Sequence, residues 1–457
     1  MSRLWLTIAS ASVFFLAWMQ ISALEPRHET GILQIDPPTP YIHYLPVGVP
    51  RGRVLTVHGL DVSKETMQLI SAALVDGGFE VYSIDLPGHG DSPVGFNAVL
   101  SQQAVLNTMA AIGEDNIALG HSFGAGLLLD LSADHHFSTV VLLSPAPTPV
   151  ARIQADRALI VSGSLDLPRI RATLPILADI GGPQIESWVL PWGDHSAPIF
   201  NPVHARSIVG WLGGDSEKTR NAERLFWIVL MLAAGACLGA RLMPGRDVKT
   251  QDFHIPTILV RYVAACGAAL LVLKVVVPLG WLRLFATDYV VSFLLIAGLA
   301  LWIQQQRAVQ FNSAAVLKAV AAASFVIVVF GLIAGSNVLH MTLSNGRWWR
   351  FPFIAAAGLP LLTFDEVIIR RIHPRWKSAA IAVTTRALLW AFVVSGVLFL
   401  NRESAFLVIV AHLLTLFWIG LWFAAGIVHR HTQSPMAAAL FAALVQGWAF
   451  SALFVKI

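Results

Sequence analysis

One serine sits among glycines where chemistry is most readily built. In IALGHSFGAGLLLDL, residues 117–131, an apolar run leads into Gly120-His121-Ser122-Phe123-Gly124, and small residues then begin a helix-like run. A strand entering a helix through Gly-x-Ser-x-Gly forces the serine into a sharp turn, and glycine is needed on either side because a Cβ would collide with neighbouring backbone. The turn lifts the hydroxyl above the sheet edge and aims the N–H of Phe123, at a helix start, toward an incoming carbonyl oxygen.

A serine hydroxyl is a poor nucleophile without a base, and the base needs a carboxylate to orient it. In chain order this architecture requires serine, then acid, then histidine. ALIVSGSLDLPR puts Asp166 just past a strand-like run, and VLPWGDHSAP puts His195 just past the next. Upstream, VLTVHGL ends in His58-Gly59-Leu60, a turn that offers the Leu60 N–H as a second oxyanion donor. Alternatives stay open at the acid. Asp166 can instead cap the following helix, leaving Asp194 or Asp85 as acid, although Asp194 adjoins His195 and suits capping better. His58, His89 and His121 read as structural neighbours of the site, and His135-His136 as an exposed loop.

These residues need a scaffold, and the flanking chain supplies its signature. RVLTVHG, EVYSIDL, NIALGHS, TVVLLS, ALIVSG and IESWVL are short β-rich runs. Stretches such as SKETMQLISAALVDGG and NAVLSQQAVLNTMAAIG, apolar at helical spacing, separate them. Strands alternating with helices predict an α/β domain with a mostly parallel sheet and helices on both faces, here over residues 25–216.

The motifs HG, DLPGHGDS, GHSFG, GSLD and GDHS, in that order over about Val54 to Trp211, resemble the α/β-hydrolase superfamily and within it the monoglyceride-lipase and serine-aminopeptidase-like branch. The resemblance implies Ser122 as nucleophile, Asp166 as acid, His195 as base, Leu60 and Phe123 as oxyanion donors, and Gly120, His121 and Gly124 as the nucleophile elbow. Many relatives insert a helical cap before the strand carrying the acid. Here only APTPVARIQADR, residues 146–157, is available, too short for a lid of several helices.

The rest of the chain is of another kind. Of 457 residues, 56% are hydrophobic and 13% charged, a balance that excludes an ordinary soluble protein. Residues 1–24 form one apolar segment, a transmembrane signal anchor or a signal peptide, and residues 224–457 hold about eight runs of spanning length. They begin near Leu225, Ile255, Ala286, Ala315, Phe351, Ala379, Ala405 and Pro435. With Arg3 inside, Arg241, Arg246, Lys249, Arg307, the Arg370–Lys377 cluster and Arg430 also fall inside, while Arg283, Arg347, Arg350 and Arg402 remain outside. This predicts a multi-pass protein with its hydrolase-like domain on the extracytoplasmic side. No basic patch interleaved with aromatics argues for nucleic acid, and neither Cys237 nor Cys266 has a disulfide-like or metal-like spacing.

Ionisable residues within spans invite functional reading. Arg261, Lys274 and Arg386 lie within snorkelling reach of a span end, and His340 reads as interfacial. LLTFDEVIIRR sets Asp365 beside Glu366 with Arg370 one turn later, so Glu366 and Arg370 can pair. With His412 in FLVIVAHLL and the closing GIVHRHTQSPMAAALFAALVQGWAF, these spans show a decayed resemblance to the CAAX-type intramembrane protease family: Asp365 stands for the first Glu, Val408 for Phe, and Gln446 and Phe450 for the last pair.

The sequence thus leads to a membrane-bound serine hydrolase acting on an amphiphilic or lipid-like ester or thioester, with no cofactor, no metal and no nucleic-acid partner. A peptidase or amidase of the same fold, or a transporter-like protein with an accessory hydrolase-fold domain, are the alternatives. Substrate identity, oligomeric state and protein partners are not legible.

Overall fold

A computed structural model describes residues 3–113, 116–182, 184–275, 281–305, 311–334, 339–344, 346–400 and 406–457. Arg307, Arg402 and Ala405 lie outside the described residues. The elements fall into two compact units. One comprises residues 12–233, 333–341 and 455–457; the other comprises residues 1–11, 234–332 and 342–454.

The first unit is built on eight strands: β1 (His28–Leu33), β2 (Thr39–Tyr44), β3 (Arg53–Val57), β4 (Glu80–Ile84), β5 (Asn116–His121), β6 (Phe137–Leu143), β7 (Ala155–Gly163) and β8 (Ile185–Leu190). They form one sheet in the order β1-β2-β4-β3-β5-β6-β7-β8. All six strand-like runs of the sequence are strands, and β3 to β8 run parallel. The antiparallel β1–β2 hairpin on the edge lies outside the six β-rich runs of the sequence.

Alternation along each strand feeds two cores, as a doubly covered sheet requires. Leu55, Val57, Ala118, Val140, Leu142 and Ile160 bury on one face. Val54, Val81, Leu119, Val141, Leu143, Leu159 and Val161 bury on the other. The covering helices are α2 (Gln68–Asp76), α3 (Ala98–Ile112), α4 (Phe123–Leu131), α5 (Pro168–Gly181), α6 (Ala197–Phe200) and α7 (Pro202–Trp211), with α1 (Arg3–Leu24) preceding the sheet in sequence. Residues 144–154, between β6 and β7, contain no helix, so no cap is inserted there.

The remaining helices are α8 (Asn221–Leu242), α9 (Ile255–Val275), α10 (Thr287–Gln305), α11 (Ser313–Val326), α12 (Arg350–Val367), α13 (Arg375–Leu400), α14 (Phe406–Thr432) and α15 (Pro435–Leu453). Among the described residues, nine helices, α1 included, are long and apolar enough to cross a bilayer. In the second unit α12 packs on α15 and α10. A Cβ at Gly447 would lie 2.8 Å from the Ala355 Cβ and 2.9 Å from the Phe351 carbonyl oxygen, the close backbone approach that small residues allow between apolar helices.

Candidate active site

Strand β5 delivers Ser122 into the turn before α4. Its φ is +52° and ψ −113°, strained for a residue with a side chain, and the strain is held by backbone hydrogen bonds on both sides. Ser122 N–H donates to Leu143 O at 2.8 Å, and Ser122 O accepts from Ala146 N–H at 3.0 Å and Gly126 N–H at 2.9 Å. Both flanking glycines are steric necessities. A Cβ at Gly120 would meet Ala125 N at 2.6 Å, and one at Gly124 would meet the Val57 and His58 carbonyl oxygens at 2.5 Å.

Two and three strands away, β7 and β8 end in the loops that carry Asp166 and His195. His195 Nδ1 lies 3.0 Å from Asp166 Oδ1, and Nε2 lies 2.9 Å from Ser122 Oγ. An ionised carboxylate only accepts, so Nδ1 carries the proton and Nε2 of the neutral ring accepts from the serine hydroxyl. Asp166 is also held by the Leu167 N–H at 2.7 Å and the Ser162 hydroxyl at 3.1 Å. Burial alone would raise its pKa. The hydrogen bond and charge of His195, with the other donors, outweigh burial and hold the carboxyl below its usual range.

The other histidines serve backbone. His58 Nδ1–H donates to Gly59 O at 2.7 Å while Nε2 accepts from Leu86 N–H at 3.1 Å, so the ring braces the turn carrying Leu60. Burial pushes its pKa down, which suits that neutral ring. His121 Nε2 donates to His195 O at 2.9 Å, and its ring centroid lies 5.1 Å from that of His195. Burial, and then the adjacent His195, push the His121 pKa down to about 3. Among the described residues, neither the Leu60 nor the Phe123 N–H donates to an acceptor. A Cβ on Gly59 would lie 3.1 Å from the Ser122 Cβ, so the Leu60 turn passes directly beside the serine.

The rival acids are engaged elsewhere. Asp194 Oδ1 caps α6 through the N–H groups of Ser196 at 3.0 Å and Ala197 at 2.9 Å. Asp85 accepts from the Lys64 ammonium at 2.6 Å and from the Asp91 N–H at 2.8 Å, which fixes the DLPGHGDS turn. Sequence reasoning missed the rest of this cluster. The Lys64 ammonium also lies 2.7 Å from Asp91 and 3.0 Å from Glu65. His340 is buried against them, 3.5 Å from Glu65 and 3.7 Å from Asp91. Glu65, Asp91 and His340 bring three possible ligand atoms within 4.8 Å of one another, but the Lys64 ammonium already stands among the carboxylates as their counter-charge. Burial would raise the Glu65 and Asp91 pKa values; His340 and Lys64 reverse that for Glu65, and Lys64 with His340 for Asp91, so both are held low.

The second unit holds another ionisable cluster, in the last turns of α12 and α14. Arg370 bonds Glu366 through Nη2 at 2.7 Å and Nε at 3.1 Å, the expected pair, and stacks 3.7 Å over the Trp422 ring. The histidine that meets Glu366 is His429, with Nδ1 at 2.7 Å; His412, singled out from the sequence, is exposed. Arg386 does not snorkel. It is buried with its guanidinium 2.5 Å from Asp365, whereas Arg261 and Lys274 are exposed.

The family comparison agrees with this architecture. Residues 48–174 match the family model for serine aminopeptidase S33. Similar solved structures include a dienelactone hydrolase from Anabaena variabilis at 16% identity, covering 42% of this chain and 96% of that one with TM-score 0.35. A bacterial membrane phospholipase A is 15% identical over 46% of this chain and 96% of its own, with TM-score 0.37. A monoacylglycerol lipase from Paleococcus ferrophilus is 20% identical over 38% and 97%, with TM-score 0.33. No curated protein sequence matches the chain. The eight-stranded, mostly parallel part of this protein has the α/β-hydrolase fold, and a set of long apolar helices accompanies it in the same chain.

Proposed function

We propose that this protein is a membrane-bound serine hydrolase that cleaves an ester or thioester of an amphiphilic, lipid-like substrate. The observation that carries the reading is the unbroken hydrogen-bond chain from Asp166 through His195 to Ser122, beside two backbone N–H groups that have no acceptor among the described residues. His195 Nε2 takes the Ser122 proton as Oγ attacks the acyl carbonyl, and Asp166 stabilises the imidazolium that forms. The Leu60 and Phe123 N–H groups receive the oxyanion, a contact worth about 2.7–4 kcal/mol per donor. As the tetrahedral intermediate collapses, His195 returns the proton to the leaving oxygen or sulfur. Water, deprotonated by the same ring, then frees the acid from Ser122.

The surface around the site favours a lipid-like substrate. Leu165 and Trp192, on the loops that carry Asp166 and His195, are 62% and 87% exposed. Apolar side chains held out at a site mouth suit an acyl chain or the edge of a bilayer. No inserted cap covers them. The Lys/Arg asymmetry of the short loops supports an extracytoplasmic position for this domain.

Labelling of intact membranes with a fluorophosphonate probe tests the reading. Wild type should label, and Ser122→Ala and His195→Ala should not, with or without detergent. A folded wild type that fails to label and cleaves no ester would overturn it, and preferential cleavage of aminoacyl amides would move the assignment to a peptidase.

A further inference from the structure

Residues 455–457 follow the last long helix, yet they belong to the same compact unit as the sheet. They lie along the two loops that flank Ser122. Val455 is fully buried, and its N–H donates to Asp61 Oδ1 at 2.8 Å. Lys456 N–H donates to Gly88 O at 2.9 Å, and Lys456 O accepts from Phe96 N–H at 2.8 Å, so the segment is tied to the 88–96 loop by two backbone hydrogen bonds. The Phe96 ring stands 5.7 Å from that of Phe123, the residue after the serine.

Asp61 is the residue after Leu60. Its φ is +56°, a left-handed conformation that costs a non-glycine residue energy and persists only when its surroundings impose it. It is 9% exposed. The Leu60 N–H belongs to the Gly59–Leu60 peptide, one peptide before Asp61, so a fixed conformation at Asp61 anchors the exit of the turn and limits how far that N–H can swing beside Ser122. Aspartate tolerates this conformation better than most residues, and its carboxylate is what Val455 grips.

We propose that the Val455–Asp61 hydrogen bond is a positioning contact for the oxyanion hole: it locks the Leu60 turn so that the Leu60 N–H faces the carbonyl oxygen under attack. Asp61 touches no substrate in this scheme; it acts through Leu60. The inference rests on the serine-hydrolase reading above.

The test uses the full-length protein in detergent, with Asp61→Ala, Asp61→Asn and Val455→Pro, assayed on p-nitrophenyl butyrate and on the thiono analogue whose C=O is replaced by C=S. Sulfur accepts hydrogen bonds weakly, so the thiono ester gains little from an oxyanion donor. Asp61→Ala and Val455→Pro should each lower kcat on the oxygen ester by roughly 10- to 100-fold with KM nearly unchanged, and lower the thiono rate far less. Asp61→Asn keeps the accepting oxygen and should stay within about threefold of wild type. Equal losses on both esters, or an Asp61→Ala enzyme as fast as an active wild type, would overturn the inference and leave the serine-hydrolase reading intact. A wild type that neither labels with fluorophosphonate nor cleaves ester overturns both. Should Val455→Pro fail to fold, the contrast between Asp61→Ala and Asp61→Asn decides alone.

Discussion

Each unit contains a carboxylate bonded to a histidine, and the two pairs have different surroundings. Asp166 and His195 lie 3.0 Å apart, and the far nitrogen of the ring faces a serine hydroxyl at 2.9 Å. Glu366 and His429 lie 2.7 Å apart, but the same carboxylate is clamped by the Arg370 guanidinium. The His195 side chain is 16% exposed and that of His429 is 5%. A carboxylate–imidazole pair becomes a device for moving protons when a third partner can accept or lose one and a substrate can reach it. Closed off by a permanent cation, the same pair is a joint between helices.

The comparison breaks most sharply at Ser122, the proposed nucleophile. Ser122→Ala should lower ester hydrolysis by about 10⁴-fold or more, and Asp166→Asn, which leaves the ring with the wrong tautomer, by roughly 10³- to 10⁴-fold, both read as kcat. Glu366→Gln should do the reverse. Hydrolysis should stay within about twofold of wild type, while the loss of one partner from a buried pair costs about 3–5 kcal/mol, visible as a lower midpoint of thermal unfolding in detergent. If Glu366→Gln abolished hydrolysis in folded protein, the two clusters would have to be read as one system.

Acid sharpens the contrast from the side of the sheet unit. Asp166, Asp91 and Glu65 all have pKa values depressed on folding, so their contribution to stability is fully present above the unfolded values near 4 and is lost as pH falls through the folded ones. Thermal unfolding followed from pH 7 to pH 3 should therefore weaken mainly below about pH 4. The smallest expected effect is at the rim. Trp192→Ala should raise KM for a long-chain ester by roughly 3- to 10-fold and leave a short, soluble ester nearly unchanged, a difference of about 1 kcal/mol of apolar contact.

Much of this was legible in the residues because local rules carried it. The six parallel strands were visible as short β-rich runs, and the residues around Ser122 named their own turn, since only glycine fits where Val57 and His58 carbonyls approach within 2.5 Å. The order serine, acid, histidine pointed to three side chains that the fold brings within hydrogen-bonding distance. What escaped was non-local. The β1–β2 hairpin has weak alternation and an edge position. Arg386 looked able to reach water because its partner, Asp365, lies on another helix. The motif points to His412, but spacing along one helix says nothing about which histidine faces α12, and it is His429 that meets Glu366. His340 and Val455 carry no local signal at all, since their meaning depends on Glu65 and Asp61, hundreds of residues away.

The bond between Asp61 and Val455 joins residues 394 positions apart, and that span has a meaning in time. A ribosome adding about 5–20 residues per second takes roughly 20–80 s to travel from one to the other. For most of that interval, once β8 has been made, the sheet and its serine exist but the segment beside them does not. A nascent or prematurely stopped chain carries the nucleophile without the segment that clamps its neighbouring turn. Synthesis of Val455 is therefore the event that supplies the clamp on this turn, long after the turn itself has been made.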